Sequence, residues 1–362
     1  MSHSSSPIAQ YPSSGISLIA TVKNEADNIA ALLDSMLAQT LPPDEIVIND
    51  NWSSDATPAI VQRYIAAGHP IRLVRGGSNI PSGRNNAIRH ARGAIIASCD
   101  AGLTLPPRWL ETITAPLRHG DADVVGGFYQ PAPRSLWELA LGATNYPEAN
   151  EIDPASFLPA GQSVAFTRAA WDAVGGYPEW ADTCEDLIFD LALKRRGYRF
   201  AFAPDAAVRF RPRESLRAYW RQYYSYARGD GVANLFPRRH AFRYISYLGP
   251  LLLALLLRRP RLALLILPVI AGRSYRPYRR LWRRIGHLSP CERLITLALP
   301  PIIRVVGDVA KMCGYPAGVW RRLRGGLTQP GVSSDSHAAI TSSESLFAPA
   351  CADREREAST NR

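Results

Sequence analysis

The run "ASCDAGLTLPP", Ala97 to Pro107, carries a single acid, Asp100, from the end of an apolar segment into small residues and a double proline. A carboxylate placed this way is suited to holding a metal ion. An acidic companion usually lies close by, but position 102 is glycine. Two other polar clusters also follow apolar runs: Asn24 and Glu25 in "TVKNE", and Asp50 and Asn51 in "EIVINDN". In an open α/β sheet, ligands bind at the carboxyl ends of the strands. Three polar clusters at strand ends therefore favour one shared ligand site over separate helix caps. A further pair, Glu185 and Asp186 in "TCED", admits two readings. Thr183 could be an N-cap with Asp186 in a capping-box position, where a first-turn acid is favourable anyway. Alternatively, the pair could supply the carboxylate that takes a proton from a reacting hydroxyl.

The elements that would position these residues alternate along the first part of the chain. "ISLIATV", "EIVIND", "IRLVR" and "AIIASCD" read as buried strands. "NIAALLDSMLAQT", "TPAIVQRYIAAG" and "SGRNNAIRHARG" read as the helices between them. This order predicts an α/β fold with a mainly parallel sheet, covered on both faces and linked by right-handed crossovers. There is no GxGxxG after the first strand and no GxxxxGK[ST], which disfavours the usual dinucleotide fold and a P-loop.

Composition adds a charge asymmetry. The chain has 362 residues and a formal net charge of +11. Residues 1–208 hold 15 basic and 22 acidic side chains, whereas 209–324 hold 24 basic and 4 acidic. Such asymmetry points to a membrane or nucleic-acid surface. Only 3 of the 42 basic residues are lysine, so arginine richness alone says little about phosphate binding. The five cysteines are scattered without a CxxC pair, which suggests neither a zinc site nor a disulfide framework. The polar N-terminus has no apolar core of a secretory signal.

Taken in order, these motifs resemble those of the family 2 glycosyltransferases, which have the GT-A fold. The resemblance runs from about Ile16 to Gly231. "ISLIATVKNE" resembles the family's opening strand with its Asn-Glu, here Asn24 and Glu25. "EIVINDNWSSDAT" resembles the strand and loop that face the nucleotide: Asp50 matches the first acid and Asn51 replaces the second. "PSGRNNAI" places Arg84 and Asn85 where the family approaches the nucleotide, and "CDAG" lies where the metal-binding DxD belongs. The resemblance implies an inverting transfer from a nucleotide-diphosphate sugar. Asp186 would be the base with Glu185 beside it, and Asp100 the protein ligand of Mg2+ or Mn2+ bound together with the donor. Asn24, Glu25, Asp50, Asn51, Arg84, Asn85 and Asp100 would form the donor side. "RPRESLRAYWRQYYSYARGDG" resembles the positively charged closing segment, so Arg221, Gln222 and Arg228 become candidates for diphosphate or acceptor contacts. The Gln-x-x-Arg-Trp of processive synthases is absent, which implies non-processive transfer.

Beyond this segment the chain is apolar and basic. "ISYLGPLLLALLL" spans about 20 Å as a helix, short of the roughly 30 Å of bilayer hydrocarbon. It is followed by "RRPR", then by "LALLILPVIAG" and "LITLALPPIIRVV". Arginines and aromatics beside such runs fit an anionic cytoplasmic leaflet, with the apolar segments re-entrant or lying in the interface. A soluble helical domain is the competing reading, and nucleic acid is not an expected partner. The expected organisation is a disordered tail over 1–15, a catalytic domain over 16–231, a membrane-associated helical region over 232–325 and a disordered tail over 326–362. The expected function is sugar transfer to a glycan or lipid-linked acceptor of the cell envelope, in polysaccharide biosynthesis at the cytoplasmic face of the membrane. The alternatives are a sugar nucleotidyltransferase of similar fold and a non-catalytic membrane scaffold.

Overall fold

The structure is a computed structural model that describes residues 15–325. Nearly all of the two tails expected to be disordered lies outside the described residues. The chain divides into two compact units, Met1–Gln130 with Leu158–Phe210, and Pro131–Phe157 with Arg211–Arg362. The expected boundary at Gly231 is thus displaced, because the segment after Phe210 packs with the second unit.

The first unit is built on a seven-stranded sheet. Its strands and helices run β1 (Ile16–Val22), α1 (Ile29–Leu37), β2 (Glu45–Asp50), α2 (Thr57–Ala66), β3 (Ile71–Arg75), α3 (Ile80–His90), β4 (Ile95–Asp100), α4 (Trp109–Arg118) and β5 (Val124–Pro131). The chain leaves this unit at Pro131 for α5 (Leu136–Asn145), then returns for β6 (Ser163–Thr167), α6 (Arg168–Val174), α7 (Glu185–Arg195) and β7 (Phe200–Phe210). The sheet order is β3-β2-β1-β4-β6-β5-β7. The expected parallel arrangement holds for β3-β2-β1-β4, while β6 runs antiparallel to both β4 and β5. Unbroken apolar runs such as Ile46, Val47 and Ile48 suit strands covered on both faces. On one side Ile19, Val47, Ile88, Ile96, Phe166 and Phe189 pack into a single core cluster.

Register sets the level of the functional edge. β1 lies between β2 and β4, pairing Val22 with Asp50 and Thr21 with Asp100. Both acids therefore leave the sheet at nearly the same height.

The second unit is helical. It contains α5, a 3-10 turn at Ala149–Glu151, α8 (Leu216–Ala233), α9 (Pro237–Leu256), a 3-10 segment at Pro260–Leu265, α10 (Ile266–Trp282) and α11 (Pro290–Gly325). Backbone contact joins α8 to α11. A Cβ on Gly314 would meet the Tyr224 carbonyl oxygen at 2.2 Å, and one on Gly318 the Arg228 carbonyl at 2.0 Å. Only glycine allows that approach. The surplus of arginine is partly internal to this unit: Arg280 and Arg279 bond Glu151, and Arg283 and Arg284 bond Glu148. Among the described residues no helix is long and apolar enough to cross a membrane.

Candidate active site

The loops after β1 and β2 fasten one another. The backbone N–H of Asn24 donates to Ser53 Oγ at 2.9 Å, and Asn24 Oδ1 accepts from Ser54 N at 2.9 Å. Glu25 N donates to Thr57 Oγ1 at 2.8 Å, and Ala26 N to Asp55 Oδ2 at 3.1 Å. Asn24 and Glu25 thereby form one wall of the edge. Asp50 is buried, accepting from Ser53 N at 3.0 Å and from Arg75 Nε at 2.9 Å. Arg75 in turn lies over the ring of Trp52, 5.6 Å from its centroid. Trp52 has φ of 60° and stays 61% exposed, a left-handed conformation that is uncommon for a bulky residue.

Two of the expected donor contacts are occupied internally. Asn51 is buried: its Oδ1 accepts from Asn49 Nδ2 at 2.6 Å, and its Nδ2 donates to the Asn79 carbonyl at 2.9 Å. Asn79 caps α3 through a capping box with Ser82. Asn85 Nδ2 donates to Tyr177 O and Glu179 Oε1, and its Oδ1 accepts from Trp171 Nε1 and Tyr177 N. All four of its hydrogen-bonding positions are filled. Both amides shape the framework of α3.

That framework aims Arg84, one residue earlier on α3. Its side chain is 4% exposed and rests where a Cβ on Gly161 would meet Nη2 at 2.6 Å. Arg84 Nη2 donates to Asp100 Oδ1 at 2.9 Å, and Nη1 to Glu185 Oε1 at 3.4 Å. The guanidinium also lies 4.8 Å from the centre of the Tyr177 ring. One buried cation thus ties the acid at the end of β4 to the first turn of α7. Burial pushes the Glu185 carboxyl up to about 7; the Asp186 charge adds to this and Arg84 opposes it. Asp100, whose side chain is still 40% exposed, is also raised, by loss of solvent around the carboxyl, against the pull of Arg84.

Asp186 sits beside this cluster, more open than buried Glu185. Its Oδ1 accepts from Leu187 N at 2.8 Å and its Oδ2 from Gly161 N at 3.3 Å. The capping-box reading of "TCED" is not realised. The residue at the cap of α7 is Cys184, in a left-handed conformation with no capping side-chain bond. One turn on, Asp190 is buried and held well above the usual carboxylate range by burial and by Asp186. Among the described residues its Oδ2 has no hydrogen-bond partner, which suits a neutral acid.

The donor set bears on the implied divalent cation. Asp100 commits one oxygen to Arg84 while its side chain stays partly exposed, and Glu25 Oε2 lies 3.9 Å from where a Cβ on Gly102 would stand. Among the described residues no group of three or more His, Cys, Asp or Glu could hold a metal. The residues fit an ion that takes one or two protein oxygens and completes its shell from phosphates and water.

Arg221, Gln222 and Arg228 are all on α8, in the second unit. Arg221 is exposed and Arg228 half-buried, and Gln222 Nε2 donates to Tyr226 Oη at 2.8 Å. Sequence reasoning missed Arg75, Trp52, Tyr177, Gly161 and Asp190. Asp190 follows Asp186 by four residues, a spacing that sets both on one helix face and could have flagged it. Trp52 directly follows Asn51, whereas Arg75, Tyr177 and Gly161 meet the site through packing across the chain.

Residues 17–155 match the model of glycosyl transferase family 2, and residues 143–303 that of glycosyl transferase family group 2. The chain is 31% identical over 197 residues to the glycosyltransferase AglE of Haloferax volcanii, covering 52% of this chain and 64% of that protein. It is 23% identical over 202 residues to the O-antigen chain rhamnosyltransferase WbaN of Salmonella anatum, covering 50% of this chain and 62% of that one. The chain therefore spans less than two thirds of the length of these relatives. A solved mannosyltransferase from Pyrobaculum calidifontis, in complex with GDP-Man and Mn2+, shares the fold with a TM-score of 0.52 at 22% identity. That match covers 85% of this chain and 86% of the other. The GT-A fold expected from the sequence stands, and both family models that match are models of glycosyl transferases.

Proposed function

We propose that this chain, a glycosyltransferase by its domain matches, moves a sugar from a nucleotide-diphosphate donor to a hydroxyl of an envelope glycan or lipid-linked acceptor. The single observation that carries the reading is the Arg84 cluster, which gathers Asp100, Glu185 and Asp186 beside the strand ends. The donor's nucleotide would lie along the edge formed by Asn24, Glu25, Asp50 and Trp52, with its diphosphate near Asp100.

Cleavage of the anomeric bond leaves a diphosphate whose charge must be stabilised. A divalent cation held by Asp100 and the donor, like the Mn2+ in the mannosyltransferase of similar fold, would supply that charge when bound. This chain's own contribution is to place Asp100. Arg84 fixes the carboxylate by one oxygen and is itself fixed by Glu185, Tyr177 and Gly161. Asp186 is the base. Two backbone N–H groups orient it, and its proton would come from the acceptor hydroxyl as that oxygen attacks. Glu185, turned into the Arg84 pair, positions the guanidinium and is not the base. A single base without a covalent nucleophile gives inversion. We assign Arg221, Gln222 and Arg228 to diphosphate or acceptor contact, and we place the protein at the cytoplasmic face of an anionic membrane, where sugar nucleotides are made.

The test is a panel of UDP-, GDP- and dTDP-sugars incubated with the full chain and Mg2+ or Mn2+, with release of nucleoside diphosphate as the readout. The reading expects metal-dependent release from at least one donor and a product of inverted anomeric configuration. No release from any donor would favour the scaffold alternative, and pyrophosphate-linked exchange would favour a nucleotidyltransferase.

A further inference from the structure

The end of α9 and the start of α10 expose apolar surface on a scale that isolated surface leucines do not. Leu251, Leu252, Leu255, Leu256, Leu264 and Leu267 are all exposed, Leu255 and Leu256 at 73% and 76%. A single exposed leucine is ordinary, but a contiguous group of this size marks an interaction surface. Arg258, Arg259 and Arg261, all exposed, interrupt the group. Arg258 takes a left-handed conformation, φ of 52°, just past the end of α9.

We propose that this leucine-arginine tip is a shallow insertion device for one leaflet of an anionic bilayer, a proposal that rests on the membrane reading above and names the part of the chain that executes it. Charge selects the occupant. From Gly231 to Cys291 the sequence has 12 arginines and no aspartate or glutamate. The arginines nearer the body of this unit are engaged, Arg243 and Arg273 with Asp308 and Arg279 and Arg280 with Glu151. That leaves the tip arginines in the midst of the leucines. A second copy of the chain is a poor cover, because an isologous contact would set one cationic, acid-free surface against another. A bilayer with anionic headgroups meets both needs, accepting leucine below the phosphates and arginine among them. Depth follows from length. The apolar part of α9 is too short to span hydrocarbon, and its first half carries Arg238, Arg239 and Arg243. The segment therefore lies in the interface, combining apolar burial with a basic patch, the two signals that stable peripheral binding requires.

The experiment uses the full chain and sucrose-loaded vesicles of phosphatidylcholine alone or with about one third phosphatidylglycerol, at low and high salt. Wild type should sediment with the anionic vesicles and be only partly released by salt. Leu255→Asp/Leu256→Asp should bind at least about tenfold more weakly and become fully salt-releasable. Arg258→Ala/Arg259→Ala/Arg261→Ala should lose on the order of a hundredfold at low salt and retain little preference for anionic vesicles. Both sets replace exposed side chains, and circular dichroism would check that the fold is kept. Wild-type binding that survives both sets would overturn the tip and leave the membrane reading standing. No binding of wild type to either vesicle would overturn both. A dimer in sedimentation velocity that the double aspartate dissociates, without vesicle binding, would assign the surface to a second copy.

Discussion

Arg84 in the first unit and Asp308 in the second are buried charges of opposite sign, each held by counter-charges, and they differ in how well they are balanced. Asp308, 1% exposed, accepts from Arg243 Nε at 3.0 Å, Arg273 Nη2 at 3.1 Å and Tyr247 Oη at 2.8 Å. Burial raises its pKa, but Lys311, Arg273 and Arg243 outweigh that and hold it below the usual range. Arg243 also donates to His240 Nδ1, so the His240 ring is neutral and gives its Nε2 hydrogen to Asp230. This is a closed network. Around Arg84 the acids outnumber the cation, and both Asp100 and Glu185 are pushed up. The first unit keeps a carboxylate-rich, partly exposed cluster that costs stability, as sites poised for a charged ligand do. Around Asp308 the second unit uses its charges for packing.

The largest effect should come from the balanced cluster. Asp308→Ala leaves Arg243, Arg273 and Lys311 facing one another in the interior, and urea unfolding should show a loss of about 3–5 kcal/mol. A loss below about 1 kcal/mol would dissolve the contrast. Asp100→Ala should do the reverse. Turnover falls by on the order of a hundredfold or more, while unfolding free energy changes by less than about 1 kcal/mol, because a carboxyl that the fold already disfavours as an anion contributes little.

Next comes pH. Glu185 has a folded value of about 7 against an ordinary 4.5, so the folded protein keeps a proton that the unfolded chain has released. Its contribution is complete below about pH 4.5 and is lost as pH rises through about 7. Asp308, with a lowered value, contributes fully above its unfolded value near 3.8 and loses this as pH falls through the folded one. Replacing Glu185 by Gln should therefore flatten the stability profile between about pH 4.5 and 7 and gain roughly 2 kcal/mol at pH 8. The smallest effect belongs to Asp190→Asn. Burial and Asp186 already disfavour the Asp190 anion, so the loss of its charge costs little, and both stability and turnover should stay within about 0.5 kcal/mol of wild type.

Strong periodicity made the first four strands and their helices legible. "ISLIATV" and "IRLVR" became β1 and β3 end for end, since apolar runs that short between breakers have few alternatives. The site acids were legible because Asp50 and Asp100 close their strands, where the sheet itself sends a side chain to the edge. The internal engagement of Asn51 and Asn85 was not. It depends on Asn49, Trp171 and Tyr177, and the last two lie more than eighty residues from Asn85. Nor was the excursion of 131–157 into the helical unit, because a helix signal such as "LWELALGATN" states an amphipathic face and not its partner. The charge asymmetry pointed outward to a surface, yet much of it is spent inside the second unit on Glu148, Glu151 and Asp308.

The measurement that tests the account most directly is the turnover of Asp186→Asn, with the donor and cation that the nucleotide-sugar panel selects, read beside its unfolding free energy. Asparagine keeps the shape and can still accept from one of the two backbone groups, Leu187 N or Gly161 N, through its single oxygen, but it cannot take up a proton at neutral pH. A fall in kcat of about 100- to 10,000-fold, with unchanged donor affinity and less than about 1 kcal/mol change in stability, is the predicted result. Turnover within a few-fold of wild type would contradict it and move the base elsewhere in the cluster.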